Sequence, residues 1–151
     1  MSSGPAVFFD IGDTLASAVV EGAHLARLDV YPFVPDVLAR MREGGAGVGL
    51  ISNTGNETAA AMNKLLRESG LSAVVDSELC LFSSLEGMNK SQPSFFVLAS
   101  ERAGLPAARC VFVGEDADER RTADTVGFRV SPHPLHALHL VAADLAVPPT
   151  V

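Results

Sequence analysis

The sequence predicts an α/β fold built on a mostly parallel sheet, and three observations carry that expectation. Short apolar runs stop abruptly at a polar residue: Ala6-Val7-Phe8-Phe9 at Asp10, Val48-Gly49-Leu50-Ile51 at Ser52, and Val111-Phe112-Val113-Gly114 at Glu115. Uninterrupted apolar runs of this length mark strands buried on both faces. Between them lie stretches with apolar residues at helical spacing, each closed by Gly or Pro. Strands alternating with helices imply right-handed crossovers and helices on both faces of the sheet.

Each element has its own justification. The first run, Ala6 to Phe9, is a strand that turns through Ile11-Gly12-Asp13-Thr14-Leu15. Val34, Val37, Leu38 and Met41 fall at i, i+3, i+4 and i+7, a helix stripe that ends at Gly44-Gly45. Asn56 is placed to cap a helix running through Ser69, with Met62, Leu65 and Leu66 inward and Gly70 as its stop. A short extended piece follows around Leu79 to Ser83. Pro93 suits the first turn of a helix carrying Phe95, Leu98 and Ala99, which Gly104 and Pro106 end. After the strand at Val111 to Val113, a helix from about Glu119 to Val126 leads to Gly127. Phe128 to Val130 reads as a last strand, Leu138, Val141, Ala142 and Leu145 mark a final helix, and Val147 to Val151 reads as a frayed tail.

Composition narrows the function. The 151 residues fit a single domain, 1–151, and a chain of this size buries roughly 68–70% of its unfolded surface. Although 48% of residues are apolar, no uncharged stretch approaches the roughly 20 residues of a membrane span. The first residues lack a basic region and the first apolar run meets Asp10 too soon for a signal peptide; the expected location is the cytoplasm, away from membranes. The net charge of −7, from 11 basic and 18 acidic residues, opposes nucleic-acid binding, which depends on Lys and Arg meeting phosphates. Cys80 and Cys110 lie in apolar surroundings and read as small hydrophobes rather than a disulfide.

Two tempting motifs have plainer accounts. Gly44-Gly45-Ala46-Gly47-Val48-Gly49 follows a helix and opens a strand, the reverse of a dinucleotide-binding loop, and reads as a helix stop and turn. His133, His136 and His139 are spaced by three without a nearby Cys or acid, and read as a polar edge beside Pro132 and Pro134 rather than a zinc site.

The strand ends are more telling. Open parallel sheets hold ligands at the carboxyl ends of their strands, and these ends offer Asp10, Ser52, Lys90 between the second and third runs, and the acidic cluster from Glu115. A carboxylate can accept a phosphoryl group as an aspartyl-phosphate. A hydroxyl and an ammonium can hold phosphate oxygens, and hard acidic oxygens suit Mg²⁺.

These segments in order, Asp10-Ile11-Gly12-Asp13-Thr14-Leu15, Leu50-Ile51-Ser52-Asn53, Lys90 with Pro93, and Val113-Gly114-Glu115-Asp116-Ala117-Asp118-Glu119 with Gly127 downstream, resemble the four motifs of the haloacid dehalogenase (HAD) superfamily. The resemblance spans Ala6 to about Val130. It implies a Rossmann-like three-layer α/β/α sandwich and a Mg²⁺-dependent phosphohydrolase. Asp10 would be nucleophile and metal ligand, Gly12 would give its backbone carbonyl to the metal, and Ser52 would hold the phosphoryl oxygen. Lys90 would neutralise Asp10 and the transferring group, Thr14, Ser52, Asn53 and Lys90 would contact the substrate, and Glu115 or Asp116 would complete the metal site. The last motif's usual aspartates read as Glu, with Glu119 and Glu115 at the family spacing from Gly127.

One further departure bears on activity. Most phosphatases of the superfamily carry an Asp where this chain has Gly12; it serves as general acid and base, help worth about 10²–10⁴-fold. Asp13 or solvent would have to replace it, so a catalytically weak binding or regulatory module is an alternative, and a dehalogenase acting through Asp10 on carbon is another. A receiver domain is excluded by motif order, since its acidic pair comes first and its phosphoacceptor in mid-chain. Only 41 residues separate Asp10 from Ser52, room for a flap over 16–31 and a helix but not for the cap domain that many relatives insert. A capless site implies an open entrance. The expected partner is then a phosphorylated molecule, small or macromolecular, or a second copy of the chain that covers the site as a homo-oligomer.

Overall fold

The computed structural model describes residues 4–145, so the tail expected at Val147 to Val151 lies outside the described residues. Five strands form one parallel sheet: β1 (Ala6–Phe9), β4 (Gly47–Ser52), β5 (Cys80–Phe82), β6 (Cys110–Val113) and β7 (Arg129–Ser131). Their order is β5-β4-β1-β6-β7, with Val7 level with Val48 on one side and Val111 on the other. Chain order therefore runs outward from β1 in one direction and then in the other. The crevice beyond its carboxyl end is the switch point where such sheets bind ligands, and Asp10 is the first residue past β1.

Alternation along β1 assigns the layers. Val7 and Phe9 join a core with Val34, Leu38 and Met41 of helix α1 (Val34–Glu43), Met62 and Leu66 of α2 (Ala59–Ser69), and Val141 of α6 (Pro134–Val141). Ala6 and Phe8 point into a second core with Phe95, Phe96 and Ala99 of α4 (Pro93–Ala103) and Ala123 of α5 (Ala117–Val126). In that second core Phe96 meets both Phe112 and Phe128 edge-on, at centroid distances of 5.1 and 5.6 Å. This is the three-layer sandwich that the patterning predicts, and no cap domain is inserted among the described residues.

Two helix starts differ from expectation, and the final helix ends at Val141, with a single 3-10 turn at Ala142–Asp144 in place of its expected last turn. Helix α2 is capped by Thr58, whose Oγ1 accepts from the Ala61 amide at 3.1 Å, and not by Asn56; Gly55, at φ 58°, keeps the chain in a turn before it. Helix α5 starts at Ala117 rather than Glu119, because Asp116 Oδ1 accepts from the amides of Asp118 and Glu119 at 2.8 and 3.0 Å.

The flap expected over 16–31 is an antiparallel hairpin, β2 (Ala16–Glu21) and β3 (His24–Val30), joined at Gly22-Ala23. Gly22 takes φ 64°, as the first position of a tight two-residue hairpin turn requires. The hairpin's base is clasped, since the Tyr31 amide donates to the Leu15 carbonyl at 3.0 Å. Its tip is held from below. Glu57, only 6% exposed, accepts from the Leu25 amide at 3.2 Å and lies 3.0 Å from His24 Nδ1.

Candidate active site

Asp10 is held in place by backbone: its amide donates to the Val113 carbonyl at 2.9 Å. Strand β6 can exit beside it only because residue 114 is Gly, since a Cβ there would lie 2.6 Å from the Phe112 ring and 3.5 Å from Asp10 Cβ. Lys90 is buried with 2% exposure, and its ammonium lies 2.5 Å from Asp10 Oδ1 and 2.9 Å from Glu119 Oε1. The loop that delivers it is braced locally. Asn89 Oδ1 accepts from the Ser91 amide, Gln92 Oε1 accepts from the Asn89 amide, both at 2.9 Å, and Pro93 then opens α4.

One cation between two carboxylates leaves this cluster formally anionic. Burial, the dominant influence, pushes the Glu119 carboxyl above its ordinary range, and Lys90 opposes that shift. Glu119 Oε1 is buried and lies 2.9 Å from the Lys90 ammonium, and a carboxylate oxygen has lone pairs for more than one contact. It therefore has the capacity to accept a further partner. Mg²⁺ commonly takes one or two carboxylates and completes its octahedron with waters and phosphate oxygens. Asp10, Glu119 and the Gly12 carbonyl fit that pattern, although no cluster of three His, Cys, Asp or Glu side chains forms a ready-made cage among the described residues.

Asp10, Gly12, Ser52, Asn53, Lys90 and Glu119 line one cavity of about 240 Å³, and the hairpin roofs it with Ala18, Leu25 and Leu28. The chain's own flap thus forms one wall of the capless site. A larger cavity of about 730 Å³ opens among Gly4, Gly47, Arg42 and Arg102 at the opposite end of the sheet; there Arg42 pairs with Asp76 and Arg102 with Glu86, and no strand end brings it a nucleophile.

The profile of the haloacid dehalogenase-like hydrolases matches residues 18–123. The chain belongs to this family. Among solved structures, an uncharacterized protein from Corynebacterium glutamicum shares 20% identity over 97% of this chain and 98% of that one, with a TM-score of 0.70. A dehalogenase is similar at 18% identity over 86% and 84%, also at 0.70. The D,D-heptose 1,7-bisphosphate phosphatase of B. bronchiseptica, solved with magnesium and phosphate, is similar at 15% identity over 83% and 78%, at 0.67. No curated protein matches the sequence.

Against the family motifs, the structure brings Asp10, Gly12, Ser52, Asn53 and Lys90 together and leaves the other expected residues elsewhere. Glu115 is exposed and does not line the cavity. Asp116 spends its side chain capping α5, a consequence of that helix starting early. Glu119, brought in by the first turn of α5, is the acidic residue of the last motif that reaches Lys90. Thr14 is buried with an unpartnered Oγ1, and it too is absent from the cavity wall. Asn53 lines the cavity, yet its Oδ1 is engaged by the Lys90 amide at 3.0 Å. Asp13, the candidate replacement for the missing acid, is exposed and outside the cavity. The residue that sequence reasoning missed is Glu57, which shows no local signal because its partners lie 32 and 33 positions away.

Proposed function

We propose that this HAD-like hydrolase is a capless, Mg²⁺-dependent phosphohydrolase that works through an aspartyl-phosphate on Asp10. The observation that carries the reading is Lys90, buried and in contact with both Asp10 and Glu119 beneath the hairpin. Asp10 is the nucleophile; Lys90 offsets its charge and that of the incoming phosphoryl group, and Ser52 and Asn53 face the same cavity to receive phosphoryl oxygens. Asp10, Glu119 and the Gly12 carbonyl would hold the metal, while Glu115 and Asp116, the other acids of that segment, lie outside the cavity wall. When bound, Mg²⁺ supplies Lewis-acid stabilisation of the transferring group. The apolar side chains that the hairpin adds to one wall lower the local polarity, which strengthens each of these charge contacts. That the heptose bisphosphate phosphatase and an enzyme from Bacteroides thetaiotaomicron were solved with magnesium and phosphate supports the reading.

Gly12 and the apolar roof favour a second reading, a dehalogenase in which Asp10 attacks carbon. Assay of phosphate release and halide release, each with and without Mg²⁺ and in Asp10→Asn, separates the two. Mg²⁺-dependent phosphate release that Asp10→Asn abolishes is the expected result.

A further inference from the structure

We infer that the substrate is a small acyl phosphate: one phosphoryl group joined to a compact aliphatic acid. This rests on the phosphohydrolase reading above and adds the identity of the leaving group. Three observations converge on it. Among the described residues the wall of the cavity carries no acid besides Asp10 and Glu119, both in contact with Lys90, and Asp13 lies outside. With both carboxylates engaged by Lys90, the favoured leaving group is one that departs without a proton. A carboxylate can do so at neutral pH, since carboxyl groups ionise near pH ~4, whereas an alkoxide cannot.

The second observation is size and polarity. At about 240 Å³ the cavity falls below the roughly 300–1,000 Å³ of sites for drug-sized ligands. Opposite the polar floor it presents the hydrocarbon of Ala18, Leu25 and Leu28. The roof is fastened, because buried Glu57 holds the Leu25 amide and His24. The third is charge: Lys90 is the sole cation among the cavity's described residues, enough for one phosphoryl group and nothing for a second anion.

The chemistry balances without an added acid. A carboxylate oxygen of Asp10 attacks phosphorus, the bond from phosphorus to the acyl oxygen breaks, and the acid leaves as its carboxylate with both bonding electrons. Water then attacks the phosphorus of the aspartyl-phosphate and the bond to Asp10 breaks. Phosphate departs with that water's hydroxyl, and the remaining proton passes to solvent.

The test compares acetyl phosphate, benzoyl phosphate and glycerol phosphate with the full chain and Mg²⁺, after subtraction of uncatalysed hydrolysis, and includes chloroacetate. Acetyl phosphate should exceed glycerol phosphate in kcat/KM by about 10²–10⁴-fold, the usual worth of the absent acid. Leu25→Ala should shift the benzoyl-to-acetyl ratio of kcat/KM upward by about tenfold or more, the scale of a changed hydrophobic pocket, and the milder Leu25→Val should move it the same way. Glycerol phosphate turned over as fast as acetyl phosphate, or a ratio unmoved in both Leu25 variants, overturns the substrate class while Asp10 chemistry stands. Absence of Asp10-dependent phosphate release from every substrate removes both readings, and Asp10-dependent chloride release in its place assigns the site to dehalogenation.

Discussion

Asn53 Oδ1 accepts a hydrogen bond from the Lys90 backbone amide at 3.0 Å, so the residue after β4 positions the cation that meets Asp10 at the end of β1. Two strand ends and the Lys90 loop are thereby coupled through one side chain.

Asn53→Ala should cost about 1–3 kcal/mol, the range for a buried donor left unpaired, and should lower kcat by up to about 10²-fold if Lys90 moves by 1 Å. Asn53→Asp restores the acceptor and should recover most of the stability. Thermal melts of the three proteins together with initial rates check this; equal melting of Asn53→Ala and wild type would show that the Lys90 loop is held by its Asn89 and Gln92 contacts instead.

The metal should appear as stabilisation. A ligand at 100 times its Kd adds about 2.7 kcal/mol, and each kcal/mol raises Tm by about 2–4 °C in a chain of this size. Mg²⁺ should therefore raise Tm by several degrees, and Asp10→Asn and Glu119→Gln should abolish the rise. Asp116→Ala should lower the starting Tm, because losing an N-cap costs about 0.5–2 kcal/mol, yet keep the Mg²⁺ increment. If Glu115→Gln loses the increment and Glu119→Gln does not, the metal belongs with the residue that follows Gly114.

The turn after Asp10 carries a conformational load at Asp13, which adopts φ 60°. The left-handed region costs an ordinary residue about 1–2 kcal/mol, and Asp less, while Gly gives back about 0.4–1 kcal/mol through its unfolded freedom. The expected order of Tm is Asp13→Gly at or above wild type, with Asp13→Val clearly below. Position 12 is different. A Cβ there would meet nothing within 4 Å, so Gly12→Asp should fold normally and raise turnover of alkyl phosphates by about 10²–10⁴-fold. An unchanged alkyl rate in a well-folded Gly12→Asp protein would mean that proton donation does not limit the reaction.

Both thiols should be inert in the native state. Burial pushes Cys80 up to about 12 and Cys110 to about 11, and both are free. The reactive thiolate is therefore nearly absent at neutral pH. A disulfide reagent should label both cysteines in denaturant and neither within minutes before unfolding. Because the folded pKa values exceed the unfolded one, this contribution to stability is intact below pH ~8.5 and declines as pH rises toward them. Rapid native labelling at pH 7 would contradict the burial of these side chains.

Much of this architecture is legible in the chain because strand burial and helix spacing are local signals. Phe9 to Asp10 and Ile51 to Ser52 announce strand ends by polarity alone, and Gly70, Gly104 and Gly127 mark helix stops, each with positive φ. The site was less legible where the decision is made at long range. Helix α5 buries only Ala123, so its polar sequence gives no apolar stripe to fix its start, and the choice among Glu115, Asp116 and Glu119 depended on that start. The Gly22 turn is a local hairpin signal that the expectation of a flap over 16–31 left unused. That the hairpin folds over Asp10, and that Glu57 fastens it, follows from contacts across more than thirty residues.

The clasp between Tyr31 and Leu15 has an evolutionary reading. Because the chain leaves and re-enters the sheet scaffold at adjoining points, the intervening segment is an insert whose replacement leaves every strand pairing of the sheet untouched. Selectivity and fold are then inherited separately. A lineage can exchange the roof, by length or by its inward side chains, and acquire a new preference while Asp10 and Lys90 stay where they are.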